Sequence, residues 1–196
     1  MNKPKLWTKS FISNSLINFF LFITFYVLLV TLPIYAIQEF DSNASQAGLM
    51  TTVFLISAII SRPLAGHWLE KAGHKKVLLT ALIIFSGASL LYFFPNTLIG
   101  FLVIRLLHGI GFGMATTSAG AIVADLIPTS RRGEGMGYFI MSTNMAMVLG
   151  PFIGLTAIQQ WGPETLFIIS VIVAIGALIT GLSVKIIETE HADQPV

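Results

Sequence analysis

Cysteine is absent from the 196 residues, which excludes disulfides, thiolate metal ligands and a cysteine nucleophile. Charge is scarce: 10% of the residues are Asp, Glu, Lys or Arg, against about 25% in soluble domains. The chain also lacks a Gly-x-Ser-x-Gly elbow and a Gly-Lys-Ser/Thr phosphate loop, and its Gly109–Gly113 run has neither the third glycine nor the preceding strand of a dinucleotide site. No enzyme and no cofactor are expected. His67, Glu70 and His74 could share a helical face, but Gly73 is expected to break the helix between them, so no metal site is expected either.

What the chain has in abundance is apolar residues, 55% of the total, with a mean hydropathy of +0.83. They come in runs long enough to cross a hydrocarbon core of ~30 Å, which takes about 20 helical residues. The expected fold is all-α and polytopic, with six membrane helices over about 11–37, 46–69, 77–94, 98–126, 134–159 and 164–187. A short segment, 1–10, precedes this 11–187 domain, and a polar tail, 188–196, expected to be disordered, follows it. The first run is too long for the core of a signal peptide, and further spans follow it.

Six spans put both termini and the 2-3 and 4-5 loops on one side. That side carries Lys3, Lys5, Lys9, Lys71, Lys75, Lys76, Arg131, Arg132 and Lys185; the other carries Glu39, Asp41 and Glu164 and no cation. The positive-inside rule predicts a multi-pass protein of the cell membrane with cytoplasmic termini, the lipid bilayer being its first partner. The net charge of +2 follows from that asymmetry and calls for no nucleic-acid partner.

The stretch Arg62 to Lys76 is the most charged part of the chain, with one glycine, Gly66, where a span is expected to end and another, Gly73, in the turn. The spacing Gly66, Glu70, Lys71, Gly73, Lys75, Lys76 resembles the loop between helices 2 and 3 of the major facilitator superfamily, with Glu70 in place of the usual Asp and His74 in place of Arg. The run from Arg105 to Gly113 is similar to the superfamily's helix 4 signature, Arg-x-x-Gln-Gly-x-Gly, with His108 replacing Gln. Gly150-Pro151-Phe152-Ile153-Gly154 resembles the core of the helix 5 signature of its proton-coupled drug antiporter branch. The resemblance covers the whole chain, but the family continues into six more helices. It implies one half of a transporter, built of two inverted three-helix repeats.

Ionisable groups inside spans are functional candidates by default, and here they are Arg62, Arg105, His108 and Asp125. By resemblance Arg105 faces a central cavity linked to substrate or proton coupling; the alternative is a structural bond to backbone carbonyls or to the helix 1 asparagines. His108 is expected mainly to pack. Phe112 and Thr116 continue the Arg105 face by the 3.6 repeat. On helix 1 a polar stripe of Asn14, Asn18, Thr24, Thr31 and Tyr35 suits a wet cavity or, equally, hydrogen bonds between helices. Arg62, Glu70, His74 and Asp125 are expected to form a gate-side ion network, the alternative being that each charge reaches water separately. The small-residue pairs Gly109/Gly113, Gly133/Gly137 and Gly150/Gly154 are expected to let helices approach closely.

The resulting expectation is efflux of a small amphipathic compound, coupled to protons, by alternating access. Alternatives are a half-transporter that does not act alone and an importer of the same fold. Helix 1 lacks the carboxylate found in many cation exporters, which leaves the proton site open, and a second half or a second copy is expected as partner.

Overall fold

The computed structural model describes residues 4–184; Lys3, Lys185, the end of the sixth span and the 188–196 tail lie outside the described residues. Six helices follow one another: α1 (Lys9–Phe40), α2 (Ala44–Ala72), α3 (His74–Leu91), α4 (Leu98–Leu126), α5 (Arg132–Trp161) and α6 (Glu164–Ser183). All six are long and apolar enough to cross a membrane.

Three helices, α1, α2 and α4, start on side-chain caps. The Thr8 hydroxyl accepts from the Phe11 N–H and so starts α1 two residues before the apolar run. Asn43 and Gln46 form a reciprocal capping box that starts α2. Gly66, expected at the end of a span, lies inside α2, which continues through Glu70 and Lys71 to Ala72. Gly73 is then the whole turn: its φ of 83° needs a glycine, and α3 starts at the next residue. α3 consequently begins and ends about three residues earlier than hydropathy suggests.

Apart from α3 with α4, the closest pairings join helices that are not neighbours in sequence. α4 packs on α2 and α3, α1 packs on α5 and α6, and α3 meets α6, while α2 and α5 do not touch. Exchanging α1 with α4, α2 with α5 and α3 with α6 maps this pattern onto itself. Because successive spans alternate in direction, α1 and α4 run oppositely, so the two three-helix units are inverted repeats.

Glycine permits the tightest of these pairings. Gly109 and Gly113 lie against Phe54, Ser57, Ala58 and Ser61 of α2, and Gly111 turns to α3, where a Cβ would come 2.7 Å from the Phe85 nitrogen. Gly150 and Gly154 rest on Tyr26, Val27 and Thr31 of α1. Gly133 and Gly137 behave differently from the expected packing pair: among the described residues nothing lies within 4 Å of where their Cβ atoms would be, and the same is true of Gly66.

Candidate substrate and coupling site

The closeness of α2 and α4 sets the surroundings of Arg105. Its side chain is fully buried; Nε donates to the Met50 carbonyl at 2.8 Å, and the guanidinium carbon lies 4.1 Å from the centre of the Phe54 ring. Nη1 and Nη2 are both buried and have no hydrogen-bond partner among the described residues. The Tyr92 hydroxyl lies beside the guanidinium, outside hydrogen-bond geometry for either terminal nitrogen. A charged group in an apolar interior needs its donors satisfied, so the arrangement is that of a fork with two prongs held open.

His108 lies fully buried between two hydroxyls, with Nε2 3.3 Å from Ser89 Oγ and Nδ1 3.1 Å from Tyr92 Oη. The single Ser89 hydroxyl proton is donated to the Phe85 carbonyl at 2.9 Å, so its oxygen accepts from the imidazole. This assigns the proton of the neutral ring to Nε2 and leaves Nδ1 to accept from Tyr92. The Phe85 and His108 rings are 4.3 Å apart. The packing expected of His108 is present, together with a directed chain from Tyr92 through His108 to Ser89 that runs past Arg105.

An aromatic wall extends this face. Phe25 stacks on Phe54 and on Phe112, both at 5.4 Å, and Phe22 meets Phe112 edge-on at 5.2 Å. Phe22, Phe25, Tyr26 and Thr116 are only half-buried. Thr116 donates to the Phe112 carbonyl at 2.8 Å. The sequence reading of helix 1 followed its polar stripe and missed these rings; the signal was the three-residue spacing of Phe22 and Phe25 in a chain with 15 phenylalanines.

The stripe itself turns inward. Asn14 donates to the Ala119 carbonyl of α4 at 2.9 Å, and Asn18 donates to the Ser142 and Thr143 hydroxyls of α5 at 2.9 and 2.8 Å. Thr24 and Thr31 bond to carbonyls of their own helix. Of the two readings of this stripe, the contacts of Asn14 and Asn18 are those of interhelical bonds.

At the basic end of the bundle, His74 Nδ1 lies 3.2 Å from Asp125 Oδ2 and joins the start of α3 to the last turn of α4. The expected four-membered network is not formed, since Arg62 and Glu70 are exposed and have no ion pair among the described residues. Lys71 and Lys76 are also exposed, with Lys75 half-buried. Arg131, one of the cations of the 4-5 loop, grips Glu134 with Nε and Nη2 at 2.9 and 2.7 Å and the Pro4 carbonyl with Nη1 at 2.9 Å. It thereby straps the N-terminal segment to the start of α5.

The model for the Major Facilitator Superfamily matches residues 15–195. The chain belongs to this superfamily. It is 26% identical over 136 residues to the quinolone resistance protein NorA of Staphylococcus aureus, an alignment that covers 69% of this chain and 35% of NorA. It is 30% identical over 112 residues to multidrug resistance protein 2 of Bacillus subtilis, covering 57% of this chain and 28% of that protein. Among solved structures it superposes on the human organic anion transporter MFSD10 with a TM-score of 0.74 and 20% identity, covering 92% of this chain and 48% of that one. The inward-open xylose transporter XylE of Escherichia coli gives 0.73 and 19%, covering 89% and 48%. The chain thus spans about a third of the length of these curated relatives and has the fold of one half of a major facilitator. The superfamily consists of transporters, not enzymes.

Proposed function

We propose that the chain is the first half of an exporter that moves small amphipathic compounds out of the cell against an inward flow of protons, by alternating access. The observation that carries this reading is the buried Arg105, whose two unpaired nitrogens lie in the core of the half behind a half-buried aromatic wall. Aromatic rings offer area and π faces to an amphipathic molecule, and the guanidinium offers two donors to a polar group or to a carboxylate that gains and loses a proton. The similarity to NorA and to multidrug resistance protein 2 supports efflux as the direction. The cation-rich loops are assigned to the cytoplasm of a cell-membrane protein.

A second reading has its own observation. The chain covers 48% of each transporter it superposes on, which supports the reading of a half that works together with a second half or a second copy of itself.

The test is accumulation of a fluorescent quinolone by cells that express the chain together with a matching second half. Efflux is expected to collapse with a proton uncoupler and with Arg105→Ala, and Arg105→Lys is expected to rescue it poorly, because a point charge does not reproduce a planar fork. Undiminished efflux by Arg105→Ala at equal membrane expression refutes the proposal.

A further inference from the structure

We propose that residues 64–72, the end of α2, form a helical lever that moves against the rest of this half on joints at Pro63 and Gly73. The lever deepens the alternating-access reading, on which it rests, by naming a part that moves. The bonds that define it lie inside the half and hold whichever second half or second copy lies against α2.

Both joints follow from backbone chemistry. Pro63 stands inside α2 and has no N–H, so the Ile59 carbonyl loses its helical donor and meets the proline ring instead. Gly73 has a φ of 83°, a region that glycine enters without strain. Between the joints the segment is about 13 Å long at ~1.5 Å per residue.

The structure on either side of the lever is fixed. Before Pro63, α2 is held to α4: the Met50 carbonyl accepts from Arg105 Nε, and Gly109 and Gly113 bring the two backbones together from Phe54 to Ser61. After Gly73, the His74–Asp125 pair fixes the start of α3 to α4. Within 64–72 only Ala65 and Leu69 are buried. A helix joined at both ends to fixed neighbours rocks about the line between its joints, which carries these two side chains into or out of the apolar cluster they share with Val77, Leu78 and Met114.

The start of α5 lies at the same basic end and is bonded there. Arg131 ties it to the N-terminal segment, and Ser142 and Thr143 accept from Asn18. α5 has its own proline, Pro151, as far from Arg132 (132 to 151) as Pro63 is from Ala44 (44 to 63). Because α2 and α5 run oppositely, Pro151 falls toward the other end of the bundle. At the basic end, therefore, α2 is jointed and α5 is not. Gly66, Glu70 and Lys71 ride on the lever while Lys75 and Lys76 belong to α3, so the charged stretch is divided by a joint.

The absence of cysteine permits a spin-label test on the chain in nanodiscs. Labels at Glu70→Cys and Arg132→Cys report on the lever, and labels at Lys76→Cys and Arg132→Cys report on α3; all three positions are exposed. Double electron–electron resonance is expected to give a distance distribution about twice as wide for the lever as for α3. Pro63→Ala, which returns an N–H to α2, is expected to narrow it to the α3 width. Equal widths overturn the proposal, and so does a wide lever distribution that Pro63→Ala leaves unchanged. Should the labelled variants fail to fold, hydrogen exchange of the unlabelled chain decides: the amides of 66–72 are expected to exchange about tenfold more slowly in Pro63→Ala than in the parent, and equal exchange refutes the lever. Neither readout involves transport, so a failed lever leaves the efflux reading to its own assay.

Discussion

Between Ser89 and Tyr92, His108 supplies one donor and one acceptor, and an amide side chain carries the same pair of functions. His108→Gln is therefore expected to keep the chain of hydrogen bonds and change thermal stability in detergent little. His108→Leu strands a buried tyrosine hydroxyl and a serine oxygen, and is expected to cost about 1–3 kcal/mol, read as a lowered melting temperature of the detergent-solubilised protein. Equal melting of the two variants would refute the hydrogen-bond chain through His108. The sequence revealed that Arg105 and His108 share a helix face because three-residue spacing is local. It did not reveal Met50, Ser89 or Tyr92 as their partners, since these come from α2, α3 and the turn after α3, and no periodicity encodes which helices will touch.

Among the elements, α4 presents glycines to both of the helices it packs on. Gly109 and Gly113 face α2, and Gly111 faces α3 at a different angle, so a side chain at any of the three must displace backbone. Gly111→Val is expected to destabilise by more than the ~1–3 kcal/mol typical of overpacking, whereas Gly137→Val, which meets nothing within 4 Å, should melt like the parent; the check is paired unfolding curves. The pattern of small residues four apart was visible in the sequence, but it was blind to direction. It named Gly133 and Gly137 with the same force as Gly150 and Gly154, although only the latter pair has a helix to pack against in this chain. The strap at Arg131 belongs to this scale too. Arg131→Ala releases both Glu134 and the Pro4 carbonyl, and trypsin is expected to cut after Lys5 or Lys9 several-fold faster in detergent. An unchanged digestion rate would mean that Leu6, which is buried, holds the segment by itself.

At the scale of the whole molecule, α2 and α5 each present an apolar face that no described residue covers. Ile56, Ile60 and Leu64 form a bare stripe on α2, as do Met145, Val148 and Phe152 on α5, and Gly66 and Gly137 offer approach without obstruction. If two copies associate about an axis along the membrane normal, Gly66→Cys in one and Gly137→Cys in the other should form a disulfide, which requires Cα atoms within about 7 Å. The chain has no cysteine of its own to interfere. Cross-linking only to a separately encoded second half would show that two copies do not pair. Orientation is tested in the same background: Asn43→Cys is expected to react with an impermeant thiol reagent in intact cells and Ser130→Cys is not. Helix number was legible because hydropathy needs no partner. The ion network at the basic end was overdrawn because proximity in sequence says nothing of which way Arg62 and Glu70 face.

The pairing of distant helices also bears on how the chain is made. Asn18 of the first helix finds its hydroxyl partners only on the fifth, and Asn14 its carbonyl only on the fourth. A ribosome that has delivered three helices leaves both amides without their final contacts in a solvent that offers no substitutes. The early intermediate is therefore the form most exposed to membrane proteases and most dependent on the insertion machinery, and its vulnerability ends when α5 arrives to bond with a helix made more than a hundred residues before.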